Sequence, residues 1–384
     1  MEYSLPYVLL FTFLGACAFL YESAGENEKR KNCITIIAAI VFLFFFGLRG
    51  YIYTDWTYYT EFFRKAEFSL IYKFDLAEET VHEPGFVMLT VLCKSLFGSY
   101  FSLQFACTAI FLILFIRFCR QFGIQNLPLI LMIFIPMEGT VLILNLLRNT
   151  ISIGILLNSL IYIKERRLLP YLTLCFLALL FHLSSIFFFP LYFFLHKRTN
   201  KWLFVGLVSF FFIFYLSKVS IIEGIVKLLA LGGALGTKAE AYTELYTTPR
   251  VFNPSGTVEK FLLVSLLFIF YDEIIEKFKN RMIIVNSLLL YFFMYYIFGE
   301  FRTLSERMAL LFAFAQWVIW VDLINILVIK NNKILLSGFI FLYCLYMTAV
   351  NINEPDMEYD NILIGAKTEA QRRQVFFKIV QDDQ

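Results

Sequence analysis

Apolar residues in this chain run together instead of alternating with polar ones. Stretches such as "LPYVLLFTFLGACAFLY" (5–21) recur as blocks of about 15–28 residues, separated by short polar or basic breaks. A helix needs roughly 20 apolar residues to cross a bilayer. Only helices or closed barrels can span lipid, because each backbone polar group needs an internal partner there. Unbroken apolar blocks select helices. The pattern predicts an all-α polytopic membrane protein with about ten transmembrane helices, at about 4–21, 33–50, 100–119, 127–145, 146–163, 201–217, 258–273, 282–299, 307–329 and 333–350. Two blocks have awkward lengths. Residues 86–97 are too few to cross, and 168–195 are too many for one untilted helix at 1.5 Å per residue. Both are predicted to be re-entrant half-helix segments, the second turning near His182.

The polar breaks set an orientation. Lys and Arg collect in cytoplasmic loops. The basic clusters are "ENEKRKN" (26–32), "RFCRQ" (117–121), "KERR" (164–167), "HKRTNK" (196–201), "KFKNR" (277–281) and "KNNK" (330–333). With all of them inside, the N-terminus lies outside. Residues 1–350 then form a single transmembrane helical domain with outer loops 51–85 and 218–257, and 351–384 form a polar tail on the outer face. Segment 218–257 reads as a glycine-hinged lid or as an interfacial helix. The tail reads as free or as folded back, with Tyr359 within reach of a site. The first apolar block lacks a basic leader, so no cleavable signal is expected.

Composition narrows function. The chain is 60% hydrophobic and 16% charged, with a net charge of +3. That balance excludes a nucleic-acid partner and makes the lipid bilayer the first one. Seven cysteines without a CxxC pair read as small buried hydrophobes. Three dispersed histidines and no clustered carboxylates predict no metal site, and no nucleotide or phosphate-loop motif points to a cofactor.

Candidate chemistry lies where ionisable groups interrupt or end apolar blocks, since such groups are costly unless paired or hydrated. Arg49, Arg148, Arg302 and Arg307 all fall on the predicted outer face, against the positive-inside trend. Guanidinium forks match phosphate oxygens, so the four are candidates for binding a diphosphate; ion pairs such as Arg49–Asp55 or Arg302–Glu306 are the plainer reading. Asp55 and Glu83 are the candidate carboxylates. Glu83 precedes Pro84 in "HEPGF", where it suits either catalysis or a helix N-terminus. His182, in "LLFHLSS", suits a general base or a core histidine bonded to Ser184 or Ser185. His82 and His196 are expected to face solvent. Trp56, Tyr58 and Tyr59 suit sugar stacking or a membrane aromatic belt.

Five segments in order carry a resemblance: "FFFGLRGYIYTDWTYYTEFF", "HEPGFVMLTVLCKSLFG", "LLRNTISIGILLNSLIYI", "ALLFHLSSIFFFPLYF" and "SERMALLF". Together the chain resembles the EpsG/Wzy-type membrane polysaccharide polymerases. It departs from their pattern in having Asn149 where they usually have Gln, and "GYIYT" where a Gly-rich stretch is usual. The resemblance implies a glycosyltransferase of the bacterial cytoplasmic (inner) membrane. It would join polyprenyl-diphosphate-linked oligosaccharide repeat units at the outer face, for capsule, exopolysaccharide or O-antigen, alongside chain-length regulator or export proteins. The implied site has His182, Asp55 or Glu83 as base and the four arginines on diphosphate. A transporter of a lipid-linked or anionic glycan is the reading from a different class, since broken helices are common there.

Overall fold

The computed structural model describes residues 2–73, 82–218 and 253–382. The segment considered as a lid lies almost wholly outside them. Every element among the described residues is helical, and one isolated bridge, Arg49 to Asn361, is the only ladder pairing. The chain divides into two compact units, Met1–Phe193 with Ile329–Gln384, and Phe194–Val328.

The first unit contains α1 (Leu5–Ser23), α2 (Glu28–Gly47), α3 (Trp56–Lys65), α4 (Pro84–Phe97), α5 (Tyr100–Gln121), α6 (Leu127–Phe134), α7 (Thr140–Asn145), α8 (Leu147–Lys164) and α9 (Leu168–Leu179). A 3-10 helix over Leu183–Phe193 follows α9. Along α1, Tyr7, Leu10, Phe11, Leu14, Ala18 and Tyr21 are buried at helical spacing, while Leu5, Leu9 and Phe19 on other faces are exposed. A helix apolar on all sides yet buried on one stripe belongs in lipid. Helix α2 repeats this, with Ala38, Phe42 and Phe46 buried and Ile36, Ile40 and Phe44 exposed. By contrast α8 is buried nearly all round.

The second unit contains α10 (Lys201–Leu216), α11 (Pro254–Ile269), α12 (Tyr271–Lys277), α13 (Arg281–Ile297), α14 (Arg302–Leu310) and α15 (Phe314–Ile326). Helix α16 (Lys330–Asn351) and α17 (Glu369–Asp382) return to the first unit. The last residue of "KFKNR" is no loop charge: Arg281 is buried and forks onto Asp322, with Nη2 donating to Oδ1 at 2.9 Å and Nε to Oδ2.

The expectation of about ten spans with two re-entrant half-helices is overturned. Among the described residues five helices are long and apolar enough to cross a membrane: Leu5–Ser23, Glu28–Gly47, Tyr100–Gln121, Leu127–Asn145 and Lys330–Asn351. A sixth is reached only if Arg302–Leu310 and Phe314–Ile326, bent by 56°, count as one span. The other apolar blocks fold as shorter helices, among them Pro84–Phe97, Leu168–Leu179, Leu183–Phe193, Lys201–Leu216 and Arg281–Ile297. The reason is that a buried core helix is as apolar as a lipid-facing one, so block length alone overcounts spans.

The first unit has two chemically different ends. At one, Asn126 caps α6, its Oδ1 accepting from Leu129 N at 3.1 Å, and its amide donates to Ala18 O at 3.2 Å and Glu22 Oε1 at 3.1 Å. Lys333 pairs with Glu22 at 3.4 Å at the same end. Helices α5 and α8 run side by side in one direction, joined by Asn158 Nδ2 to Leu114 O at 2.9 Å. The clusters 26–32, 117–121, 164–167 and 330–333 therefore all lie at this end. At the other end the chain beyond α16 doubles back on α2. Gly50 N donates to Asp360 O at 3.0 Å, Ile362 N to Leu48 O at 2.9 Å, and Tyr359 stacks on Phe45 at 4.1 Å between ring centroids. Arg373 of α17 then lies over the Trp56 ring at 5.6 Å.

Candidate functional site

The site is built at the end of the first unit away from the basic clusters, where three chain breaks meet. Pro84 starts α4, as its fixed φ and missing N–H favour. Glu83 just before it makes no side-chain capping bond to that helix. Its carboxylate turns instead toward the break after α9, between Leu179 and the 3-10 helix that starts at Leu183. Gly85 makes the approach possible: its N–H donates to Leu180 O at 2.8 Å, and a Cβ there would sit 2.7 Å from that oxygen.

Glu83 Oε1 accepts from Leu183 N at 3.0 Å and lies 3.1 Å from His182 Nδ1. Glu83 Oε2 accepts from Arg148 Nη1 at 2.9 Å. Arg148 stands in the first turn of α8, and its charge lies near enough to Tyr59 of α3 to act on that phenol. Three residues far apart in sequence thus form one line, Arg148–Glu83–His182. Burial alone would raise the Glu83 carboxyl. The hydrogen bond with His182 and the charge of Arg148 outweigh that and hold its pKa at about 2. An ionised carboxylate only accepts hydrogen bonds, so the proton on His182 sits at Nδ1 and Nε2 is the basic nitrogen.

Asp55 is the N-cap residue of α3, and its backbone N–H donates to Asn145 Oδ1 at 2.8 Å. Its carboxylate accepts from Thr54 Oγ1 at 3.3 Å. Trp56 and Tyr59 are buried, and Trp56 Nε1 donates to Tyr53 O at 3.0 Å. Tyr58 is 41% exposed, with its ring edge-on to His82 at 5.0 Å. Arg49 is 1% exposed and spends its donors on backbone: Nη2 on Ile143 O at 2.8 Å and Leu144 O at 3.3 Å, and Nη1 on Phe46 O. In the second unit Arg302 pairs with Glu306 at 3.0 Å, and Arg302 and Arg307 are both exposed.

Sequence reasoning missed two participants. Asn145 was one polar residue among many in "LILNLLRN". His82, expected in solvent, is 1% exposed and boxed by Tyr58, Tyr59, Phe62 and Phe86, with its ring 3.9 Å from that of Phe62. Burial and the nearby Arg148 charge hold its pKa at about 3, so this ring is neutral. Its place directly before Glu83 was the available signal. The polar partner of His182 proves to be Glu83 rather than Ser184 or Ser185. An apolar cavity of about 570 Å³ opens in the second unit, lined by Trp202, Phe212, Phe268 and Phe292 with Lys260 as its charged group. It holds no acid–base pair like that of the first unit.

The chain matches the EpsG family over residues 32–363. It belongs to the EpsG family. The match takes in every residue of the Arg148–Glu83–His182 line, most of the first unit and all of the second. Comparison with curated proteins and with solved structures found no match. Family and architecture together make this EpsG-family chain a polytopic bacterial membrane protein of polysaccharide biosynthesis.

Proposed function

We propose that this chain is a polysaccharide polymerase. It transfers a glycan from one polyprenyl diphosphate to a hydroxyl of another lipid-linked oligosaccharide, at the outer face of the cytoplasmic membrane. The observation that supports this most is the Arg148–Glu83–His182 line, with a guanidinium at 2.9 Å and an imidazole at 3.1 Å on one carboxylate. The orientation follows from charge. Four basic clusters share the opposite end of the first unit, and basic ends face the cytoplasm.

In this reading Glu83 fixes the ring of His182, and Nε2 takes the proton of the acceptor hydroxyl. That oxygen bonds to the anomeric carbon of the donor sugar. The bond from that carbon to the diphosphate oxygen breaks, and its electron pair leaves with polyprenyl diphosphate. Arg148, with a quarter of its side chain exposed, directs its remaining guanidinium donors to the charge growing on that oxygen. Tyr58 offers a sugar its exposed ring. Arg49 is given no ligand role, because it is buried and both of its terminal nitrogens already serve main-chain carbonyls.

The test is complementation of a deletion strain by Arg148→Ala, Glu83→Gln and His182→Ala at normal expression. The expected result is loss of polymer with accumulation of single lipid-linked units, and partial recovery with Arg148→Lys. Full-length polymer from all three variants would overturn the reading. Reconstituted protein that moves lipid-linked units across a bilayer without forming glycosidic bonds would make it a transporter instead.

A further inference from the structure

The helix that begins at Leu127 is broken twice before α8, and the second break sets the position of Arg148. At Leu146 the backbone leaves helical geometry with φ −108° and ψ 60°, then α8 starts at Leu147. A helix end orphans its last carbonyls. Here side chains meet several of them. Thr150 Oγ1 lies 2.7 Å from Leu142 O and 2.9 Å from Leu146 O. Arg49 Nη2 takes Ile143 O and Leu144 O, and its Nη1 ties the same point to the end of α2 through Phe46 O. A buried cation at two helix C-termini also complements both dipoles.

From this fixed point the Asn145 side chain reaches across to α3. Its single Oδ1 accepts from Asp55 N at 2.8 Å, Thr54 Oγ1 at 3.1 Å and Thr54 N at 3.3 Å. Arg148 stands three residues beyond Asn145, in the first turn of α8, and Tyr59 lies one turn along α3, near enough to feel its charge. Asn145 thus ties the break that starts α8, and with it the first-turn position of Arg148, to the start of α3. Arg148 in turn pairs with Glu83, which meets His182.

We infer that Asn145 is a positioning residue for Arg148, acting as a clasp between the α7–α8 break and the start of α3, with buried Arg49 as its anchor. The effect on catalysis rests on the proposed function; the clasp itself does not. A misplacement of about 1 Å at a reacting group can cost on the order of 100-fold in rate.

The experiment compares Asn145→Leu, which keeps the bulk and loses the acceptor, with Asn145→Asp, which keeps an acceptor oxygen. Both are made in the full-length protein in nanodiscs. Two quantities are read: amide hydrogen exchange across 54–59, and polymer formed from lipid-linked repeat units. Asn145→Leu is expected to speed exchange at Thr54 and Asp55 and to lower the polymerisation rate by about 10- to 100-fold. Asn145→Asp is expected to restore both. Wild-type exchange in Asn145→Leu overturns the clasp. Faster exchange with an unchanged rate overturns the positioning role, as does equal impairment of Leu and Asp variants. If His182→Ala also polymerises normally, the proposed reaction fails, while the exchange result still decides the clasp.

Discussion

At the scale of the residue, the chemistry of this site turns on which charges are paired inside protein and which face outward. His82 and Glu83 are neighbours with opposite tasks. His82 is neutral in its aromatic box and Glu83 is ionised between two partners. Both shifts have the same consequence with pH. The His82 pKa is held at about 3 against an ordinary 6.5, so between those values the unfolded chain binds a proton that the native ring refuses. The Glu83 pKa is held at about 2 against 4.5, so its stabilisation is complete above 4.5 and is lost as pH falls through 2. Stability therefore rises with pH across both windows. The melting temperature in nanodiscs should drop between pH 7 and pH 4.5, and His82→Phe, which fills the same box without a titrating ring, should drop less. Equal drops in both proteins would mean that His82 titrates normally. The pairing of Glu83 with His182 was not visible beforehand because 99 residues separate them. Their identities as candidates were visible, since an ionisable group beside an apolar block needs a reason to be there.

At the scale of the element, apolar blocks told where helices form and not what surrounds them. Helix α8 is nearly enclosed by protein, whereas α2 shows a wide apolar face outward, and the two are similar in length. The 168–195 block divides because α9 ends at Leu179, and the chain resumes as a 3-10 helix containing Pro190. In the second unit one buried ion pair links α13 and α15. Removing a single partner of such a pair strands a charge and costs about 3–5 kcal/mol. Asp322→Leu should therefore destabilise the protein by that order, and Asp322→Leu with Arg281→Met should recover most of the loss. Thermal unfolding in detergent of the two single variants and the double supplies the coupling. A double variant as unstable as the sum of the singles would show that the fork contributes nothing specific.

At the scale of the whole molecule, charge asymmetry is what sets the proposed direction of the first unit across the membrane. Its basic clusters gather at one end and the Arg148–Glu83–His182 line at the other. Six of the seven cysteines are buried, so Cys33→Ser gives a quiet background for labelling. A membrane-impermeant maleimide on intact cells should label Tyr58→Cys and spare Lys29→Cys, which should react only after lysis. Labelling of both from outside would remove the orientation on which outer-face chemistry depends.

The amino-acid sequence by itself determined the helical membrane class and the family, and it marked candidate residues for chemistry, because composition and residue type act locally. It did not determine how many blocks cross lipid, since lipid and protein interior accept apolar surface alike. Nor did it show that Arg49 would serve carbonyls while Arg148 served a carboxylate. Only the tertiary structure decided that, because a guanidinium's task depends on which acceptors the folded chain brings within about 3 Å of it.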